Sequence, residues 1–236
     1  MSSSIVPSPM PLDVGGAGVL LVGGTFDPVH VGHVELARRA RDARMPGAAL
    51  LFVPAARSPH KTAGPRVSDA DRVAMLDAAV AGVADAGVWQ DELDRAGQGE
   101  ASYWVDTLER ARAIVGTAPL GFVIGADQAV AFHRWRESAR ILDLASPVVL
   151  LRAPYETVDR LRRALLGTGA WTGPQADRLL ASAADVGTVD VSSTEIRELL
   201  RVDRQGGRLG AMLAPGVLEF IRNRGLYEAG PTEPRA

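Results

Sequence analysis

Apolar positions in this chain fall into short uninterrupted runs, and between the runs they recur every three or four residues. Short apolar runs closed by Gly or Pro read as buried strands, and the longer spacing reads as amphipathic helices. Residues 19–22 form the first strand, with a helix from about 33 to 44 behind it. Residues 50–53 form a second strand ended by Pro54, and a loop rich in Pro, Gly and basic residues covers 55–66. Ser68 is placed to cap a helix whose apolar face carries Val73, Leu76, Val80 and Val83. A short strand at 88–89 precedes a helix over 104–115 with Val105, Leu108 and Ile114 as its stripe.

The alternation continues to the end. Strands are expected at 120–124, 148–151 and 187–191, with helices around 128–135 and 139–144. Two more helices fall between 157 and 184, split by Gly167-Thr168-Gly169 and Gly173-Pro174, and everything after 191 reads as helical to about Gly225. Buried strands that alternate with helices imply an α/β fold: a Rossmann-like, doubly wound parallel sheet followed by C-terminal helices. One domain over 18–227 accounts for the pattern. Residues 1–17, rich in Ser, Pro and Gly, are expected to be a disordered tail, and 228–236 a second one.

Composition narrows the function classes. The 236 residues carry a formal net charge of −2, which gives no electrostatic footprint for a nucleic-acid backbone. No apolar run approaches the roughly 20 residues of a membrane span, and the N-terminus lacks the basic start and apolar core of a secretory signal. The chain has no cysteine, so thiolate metal sites and Cys nucleophiles are excluded. A cytoplasmic protein with neither a nucleic-acid nor a membrane partner is the expectation.

Three polar motifs each follow an apolar run, where doubly wound sheets bind ligands. The first is Gly23-Gly24-Thr25-Phe26-Asp27-Pro28-Val29-His30-Val31-Gly32-His33. Two glycines after a strand let the backbone approach a ligand, and two imidazoles three residues apart at a helix start can share one side. Unpaired N–H groups and the positive dipole end at that start suit phosphate. The second is Ser192-Ser193-Thr194-Glu195-Ile196-Arg197, in which Ser192 and Glu195 have the form of a capping box. If Ser192 caps, Ser193 and Thr194 offer hydroxyls at the helix mouth with Arg197 one turn on, which makes a second anion site. The third is Gly125-Ala126-Asp127, where a carboxylate follows a strand and could equally cap the next helix. Two histidines without an evident third ligand make a poor zinc site.

The first string resembles the (T/H)xGH signature of the nucleotidyltransferase superfamily, in the form GGTFDPxHxGH of the bacterial nicotinate-nucleotide adenylyltransferase family. The second resembles that superfamily's SSTxIR element. Residues 54–61 resemble VPxxxPPHK with Ser58 in place of the first paired proline. Residues 102–108 resemble SYTxDTL with Trp104 in place of Thr, and 124–127 resemble IGxD with Trp135 following. The resemblance spans roughly 19–227. It implies transfer of AMP from ATP to nicotinate mononucleotide, with Mg²⁺ carried mainly by the substrate. It also implies an ATP site of Gly23, Gly24, Thr25, Phe26, His30, His33, Ser193, Thr194 and Arg197, with His30, His33, Lys61 and Arg197 serving catalysis. Around the mononucleotide it implies Ser102, Tyr103, Trp104, Gly125, Asp127, Trp135 and Arg152. Trp104 puts a large indole with only an N–H donor where the family has a small Thr hydroxyl; if that hydroxyl meets the nicotinate carboxylate the contact is absent, which leaves nicotinamide mononucleotide or another phosphorylated acceptor open. A nucleotide-binding module without turnover is the other class, disfavoured because both phosphate motifs are intact. Self-association into a homo-oligomer is left open.

Overall fold

The computed structural model describes residues 8–56, 64–97, 103–202 and 207–228. Five strands, β1 (Val19–Gly24), β2 (Ala49–Pro54), β3 (Ala86–Val88), β4 (Leu120–Gly125) and β5 (Ser146–Leu150), pair in parallel in the order β3-β2-β1-β4-β5. The chain winds outward from β1 to β3, returns to place β4 against the other side of β1, and winds outward again. The order therefore reverses between β1 and β4. That is the point at which the carboxyl ends of such a sheet leave a crevice.

The strand sequences divide the molecule into layers, because successive side chains point to opposite faces. Leu20, Val22, Leu50 and Phe52 face a core built with α1 (Val31–Arg44), α2 (Asp69–Val80), α9 (Ser193–Val202), α10 (Gly207–Met212) and α11 (Pro215–Asn223). Val19, Leu21, Leu51 and Val53 face the other core. That side holds α4 (Trp104–Val115), α5 (Ala126–Ala131), α6 (Ser138–Leu144), α7 (Val158–Gly167) and α8 (Gly173–Leu180). With both faces covered, the central strands are apolar throughout.

Val83, expected on the face of the helix that Ser68 caps, lies beyond α2, which ends at Val80, and four further expectations need correction. The segment 187–191 is not a strand: Ala184 makes one parallel bridge to Leu150, and the chain then leaves the sheet. Gly187 takes φ 71° there and its N–H donates to Asp185 Oδ1 at 3.2 Å, so a local turn replaces the next ladder bond. In α4 the buried stripe is Val105, Leu108, Ala111 and Val115, while Ile114 is 39% exposed. The helix expected over 128–135 is α5 followed by a 3₁₀ turn, Phe132–Arg134, which leaves Trp135 extended. At the N-terminus, the described part of the segment read as a tail lies against the fold. Met10, Leu12 and Val14 pack on the second core, and the Ser8 carbonyl accepts from Trp89 Nε1 at 2.9 Å. Apolar residues spaced among prolines supply that contact.

Sequence patterning also passed over α3 (Asp91–Gly97), whose inner face is ionic. Arg95 and Asp91 are buried and joined at 3.1 Å, and Arg110 donates to Asp91 at 2.9 Å. Thr107, on α4, accepts from Arg95 Nη2 at 2.7 Å and donates to Glu92 Oε1 at 2.9 Å. These bonds tie the first turn of α4 to α3 and so set Tyr103 and Trp104. Thr107→Val preserves shape but removes the hydroxyl between two buried ions. It is expected to lower stability by about 2–3 kcal/mol in urea unfolding; a loss below about 0.5 kcal/mol would contradict this account of the network.

Candidate active site

The turn after β1 is fixed by its backbone as much as by its side chains. A Cβ on Gly24 would lie 2.8 Å from the Phe26 ring, and one on Gly23 would lie 2.9 Å from the Trp104 indole, so both approaches require glycine. Phe26 takes φ 50° and is buried, edge-on to His33 and Phe52. A left-handed aromatic residue persists only where its surroundings dictate it. Here they include Arg72, fully buried, whose Nη1 donates to the Thr25 carbonyl at 2.8 Å.

Asp27 is the centre of this turn. It is 7% exposed, and both carboxylate oxygens have donors: the Arg66 N–H at 2.9 Å and the Tyr227 hydroxyl at 2.8 Å. Its carbonyl accepts from Arg197 Nη1, and the next carbonyl, of Pro28, accepts from Ser193 Oγ at 2.9 Å. The start of α9 is thereby drawn against the start of α1. Ser192 Oγ accepts from the Glu195 N–H at 3.1 Å, so the predicted cap is present, and Thr194 Oγ1 accepts from Arg197 Nη2 at 3.1 Å.

His30 precedes α1 and His33 lies in its first turn. Their rings stack with centroids 3.6 Å apart, and His33 Nδ1 accepts from the His30 backbone N–H at 3.2 Å. That bond assigns the proton of a neutral His33 ring to Nε2. Burial lowers the His30 pKa to about 4, so this ring is neutral near pH 7. A largely apolar cavity lined by Val29, Val34, Ala79, Ala214 and Val217 adjoins it. Gly32 is needed here too, since a Cβ would lie 2.9 Å from Val191 and 3.1 Å from His30 Nδ1.

A second group lies on the other face of the sheet. Tyr103 precedes α4, and the Arg136 guanidinium stands 4.4 Å from its ring centroid. Trp104 packs against Gly23 and edge-on to Phe122, and its buried Nε1 has no hydrogen-bond partner among the described residues. Asp127 pairs with Arg152 beside Gly125, where a Cβ would meet both side chains at 2.8–2.9 Å. Burial opposes ionisation of Asp127, but the Arg152 guanidinium outweighs it and holds the carboxyl below its usual range. Gly125, not Asp127, is the cap of α5. Trp135 packs on Phe132 with ring centroids 5.1 Å apart.

Most of the residues singled out by sequence therefore gather in two clusters, joined where Trp104 touches Gly23. Lys61 and Ser102 lie outside the described residues. The sequence reading missed Arg66, Arg72 and Tyr227 and assigned Asp27 no role. Arg72 alone carried a signal, a cation on the apolar face of a helix. Among the described residues no three of His, Cys, Asp and Glu gather as a metal-ligand set, and no helix is long and apolar enough to cross a membrane.

Comparison with known proteins gives the family and the fold. The Cytidylyltransferase-like family model matches residues 21–199. A protein of Laribacter hongkongensis named "Probable nicotinate-nucleotide adenylyltransferase" is 36% identical over 215 residues, covering 89% of this chain and 94% of that protein. One of the same name from Trichlorobacter lovleyi is 34% identical, covering 88% and 98%. Among solved structures, the Plasmodium falciparum nicotinic acid mononucleotide adenylyltransferase complexed with NaAD superposes with a TM-score of 0.65 at 13% identity, covering 89% of this chain and 97% of that one. With the family model matching most of its length and relatives above 30% identity along nearly all of it, the chain belongs to the nicotinate-nucleotide adenylyltransferases of the cytidylyltransferase-like family.

Proposed function

We propose that the protein transfers AMP from ATP to nicotinate mononucleotide, forming nicotinate adenine dinucleotide and pyrophosphate. The observation that carries this reading is the meeting of two helix starts, α1 with its paired histidines and α9 with Ser193, Thr194 and Arg197, on one backbone segment, Asp27-Pro28. Two rows of donors on one side of a crevice suit a triphosphate. Relatives that carry the name of this activity along nearly the whole length support the assignment.

A phosphate oxygen of the mononucleotide attacks the α-phosphorus of ATP in line. The bond to the bridging oxygen breaks, and pyrophosphate leaves. Such a reaction asks the protein for positioning and charge neutralisation more than for covalent chemistry. In this reading Gly23, Gly24, Thr25 and Phe26 form the backbone floor. His33 Nε2–H and the Ser193 and Thr194 hydroxyls donate to phosphate oxygens, while Arg197 and Lys61 supply positive charge. His30, held neutral, donates without a net charge. The donor set leaves Mg²⁺ to be bound chiefly by phosphate oxygens and water. When bound, Mg²⁺ neutralises charge that builds on the phosphates.

On the acceptor side, Trp135 offers a flat face to the pyridinium ring. Asp127 accepts from the ribose with Gly125 and Arg152 beside it, Tyr103 and Trp104 line the far wall, and Ser102 is assigned to the mononucleotide from its sequence motif alone. Trp104 supports a second reading in which nicotinamide mononucleotide is also used, because a large indole replaces the small Thr hydroxyl that would donate to the nicotinate carboxylate. The test is pyrophosphate release with Mg²⁺-ATP and each mononucleotide in turn. Turnover with a nicotinate preference is expected; no release with either acceptor would overturn the assignment. In the same assay His33→Ala should lower kcat about 100-fold, the effect of removing one preorganised donor.

The neutrality of His30 carries a pH consequence. Its native pKa of about 4 lies below the ordinary value of 6.5, so between these values the unfolded chain binds a proton that the native chain does not. The stability from burying it neutral is full above pH 6.5 and is lost as pH falls toward 4. From pH 7 to 5 the wild type should lose about 2 kcal/mol more than His30→Asn in urea unfolding. Equal losses would mean that His30 is not buried neutral.

A further inference from the structure

Five donors act on the four residues Thr25 to Pro28, and the one farthest along the chain is Tyr227. Beyond α11, Gly225 and Tyr227 both take positive φ, 63° and 62°, and the Leu226 N–H returns to the Ile221 carbonyl. The chain thus doubles back and delivers the Tyr227 hydroxyl to Asp27 Oδ1. A non-glycine residue in the left-handed region is held there by its surroundings, and the contact with Asp27 is the polar part of that hold. Burial, and then the Asp27 carboxylate, push the Tyr227 hydroxyl well above its ordinary range, so it stays protonated and donates.

We propose that Tyr227 is a positioning residue for ATP: with the Arg66 N–H it holds the Asp27 carboxylate inward, and so fixes the turn that carries His30 and His33 against the start of α9. The inference rests on reading this turn as the triphosphate site. A carboxylate beside a polyphosphate repels it unless its oxygens are occupied from the protein side. Without the Tyr227 hydroxyl, Oδ1 has lost that donor. The side chain then competes for Arg197, which has to face the phosphates, or turns toward the phosphates themselves. Among the described residues, Tyr103, Trp104, Asp127 and Arg152 of the acceptor cluster make no hydrogen bond with Tyr227, which packs on the other face of the sheet.

The experiment uses the full chain with Tyr227→Phe. It reads KM and kcat for each substrate by pyrophosphate release, and Mg²⁺-ATP binding by calorimetry without acceptor. About a tenfold loss in kcat/KM for ATP, with weakened Mg²⁺-ATP binding and an unchanged KM for nicotinate mononucleotide, is expected from removing one hydrogen bond to a buried charge. Arg224→Gln removes a different C-terminal tether, the 3.2 Å ion pair with Asp71, and should leave the ATP parameters unchanged. Wild-type ATP parameters in Tyr227→Phe, whatever its melting temperature, would overturn the proposal. So would an equal effect in Arg224→Gln. Weakened Mg²⁺-ATP binding in Tyr227→Phe, in a protein whose wild type turns over neither pyridine mononucleotide, would uphold this inference while the assignment of the reaction fails.

Discussion

The Asp27 carboxylate lies buried at the end of the central strand, with a backbone N–H on one oxygen and a tyrosine hydroxyl on the other. A buried carboxylate is tolerated only when each of its oxygens is hydrogen-bonded, and the turn that carries it needs donors of its own. Here those requirements recruit segments far apart in sequence. Arg66 follows the basic loop, Arg197 belongs to α9, and Tyr227 comes from the end of the described chain. The carboxylate takes the Arg66 N–H and the Tyr227 hydroxyl while Arg197 donates to the backbone carbonyl of the same residue, so donors to this one residue bring these segments together. The left-handed conformation of Phe26 and the stacking of His30 on His33 follow from the path this anchoring imposes.

The sheet supplies the second constraint. Because β1 is flanked by β2 on one side and β4 on the other, its end and that of β4 bound the crevice where the winding reverses. Helices α1 and α9 approach from one face, and α4 with the 3₁₀ turn before Trp135 approaches from the other. The two clusters meet where Trp104 lies against Gly23. A nucleotide held from one face and an acceptor held from the other would face each other across that line, the arrangement an in-line displacement needs.

The parallel sheet, most of its strand positions and the nearness of the two Gly-, His- and Ser-rich motifs at its edge were legible in the sequence because apolar runs and Gly, Ser and His spacing are local signals. What was not legible depended on partners distant in the chain. The run at 187–191 looks like a strand, but Asp185 and Gly187 turn it away after a single bridge. Helix α3 presents Asp91 and Arg95 inward, so hydrophobic periodicity could not reveal it. Tyr227 looks like an ordinary aromatic near a chain end, and only the folded geometry brings its hydroxyl to Asp27. Asp127 reads as a helix cap or a ligand contact with equal ease; the fold gives the cap to Gly125 and pairs Asp127 with Arg152.

The most direct test of the account is a crystal structure of the protein with Mg²⁺ and a non-hydrolysable ATP analogue. The account predicts triphosphate oxygens within hydrogen-bond distance of His33 and of the Ser193, Thr194 and Arg197 side chains, with the Asp27 carboxylate still bonded to Tyr227. A triphosphate bound away from these groups, or an Asp27 carboxylate released to face it, would contradict the account.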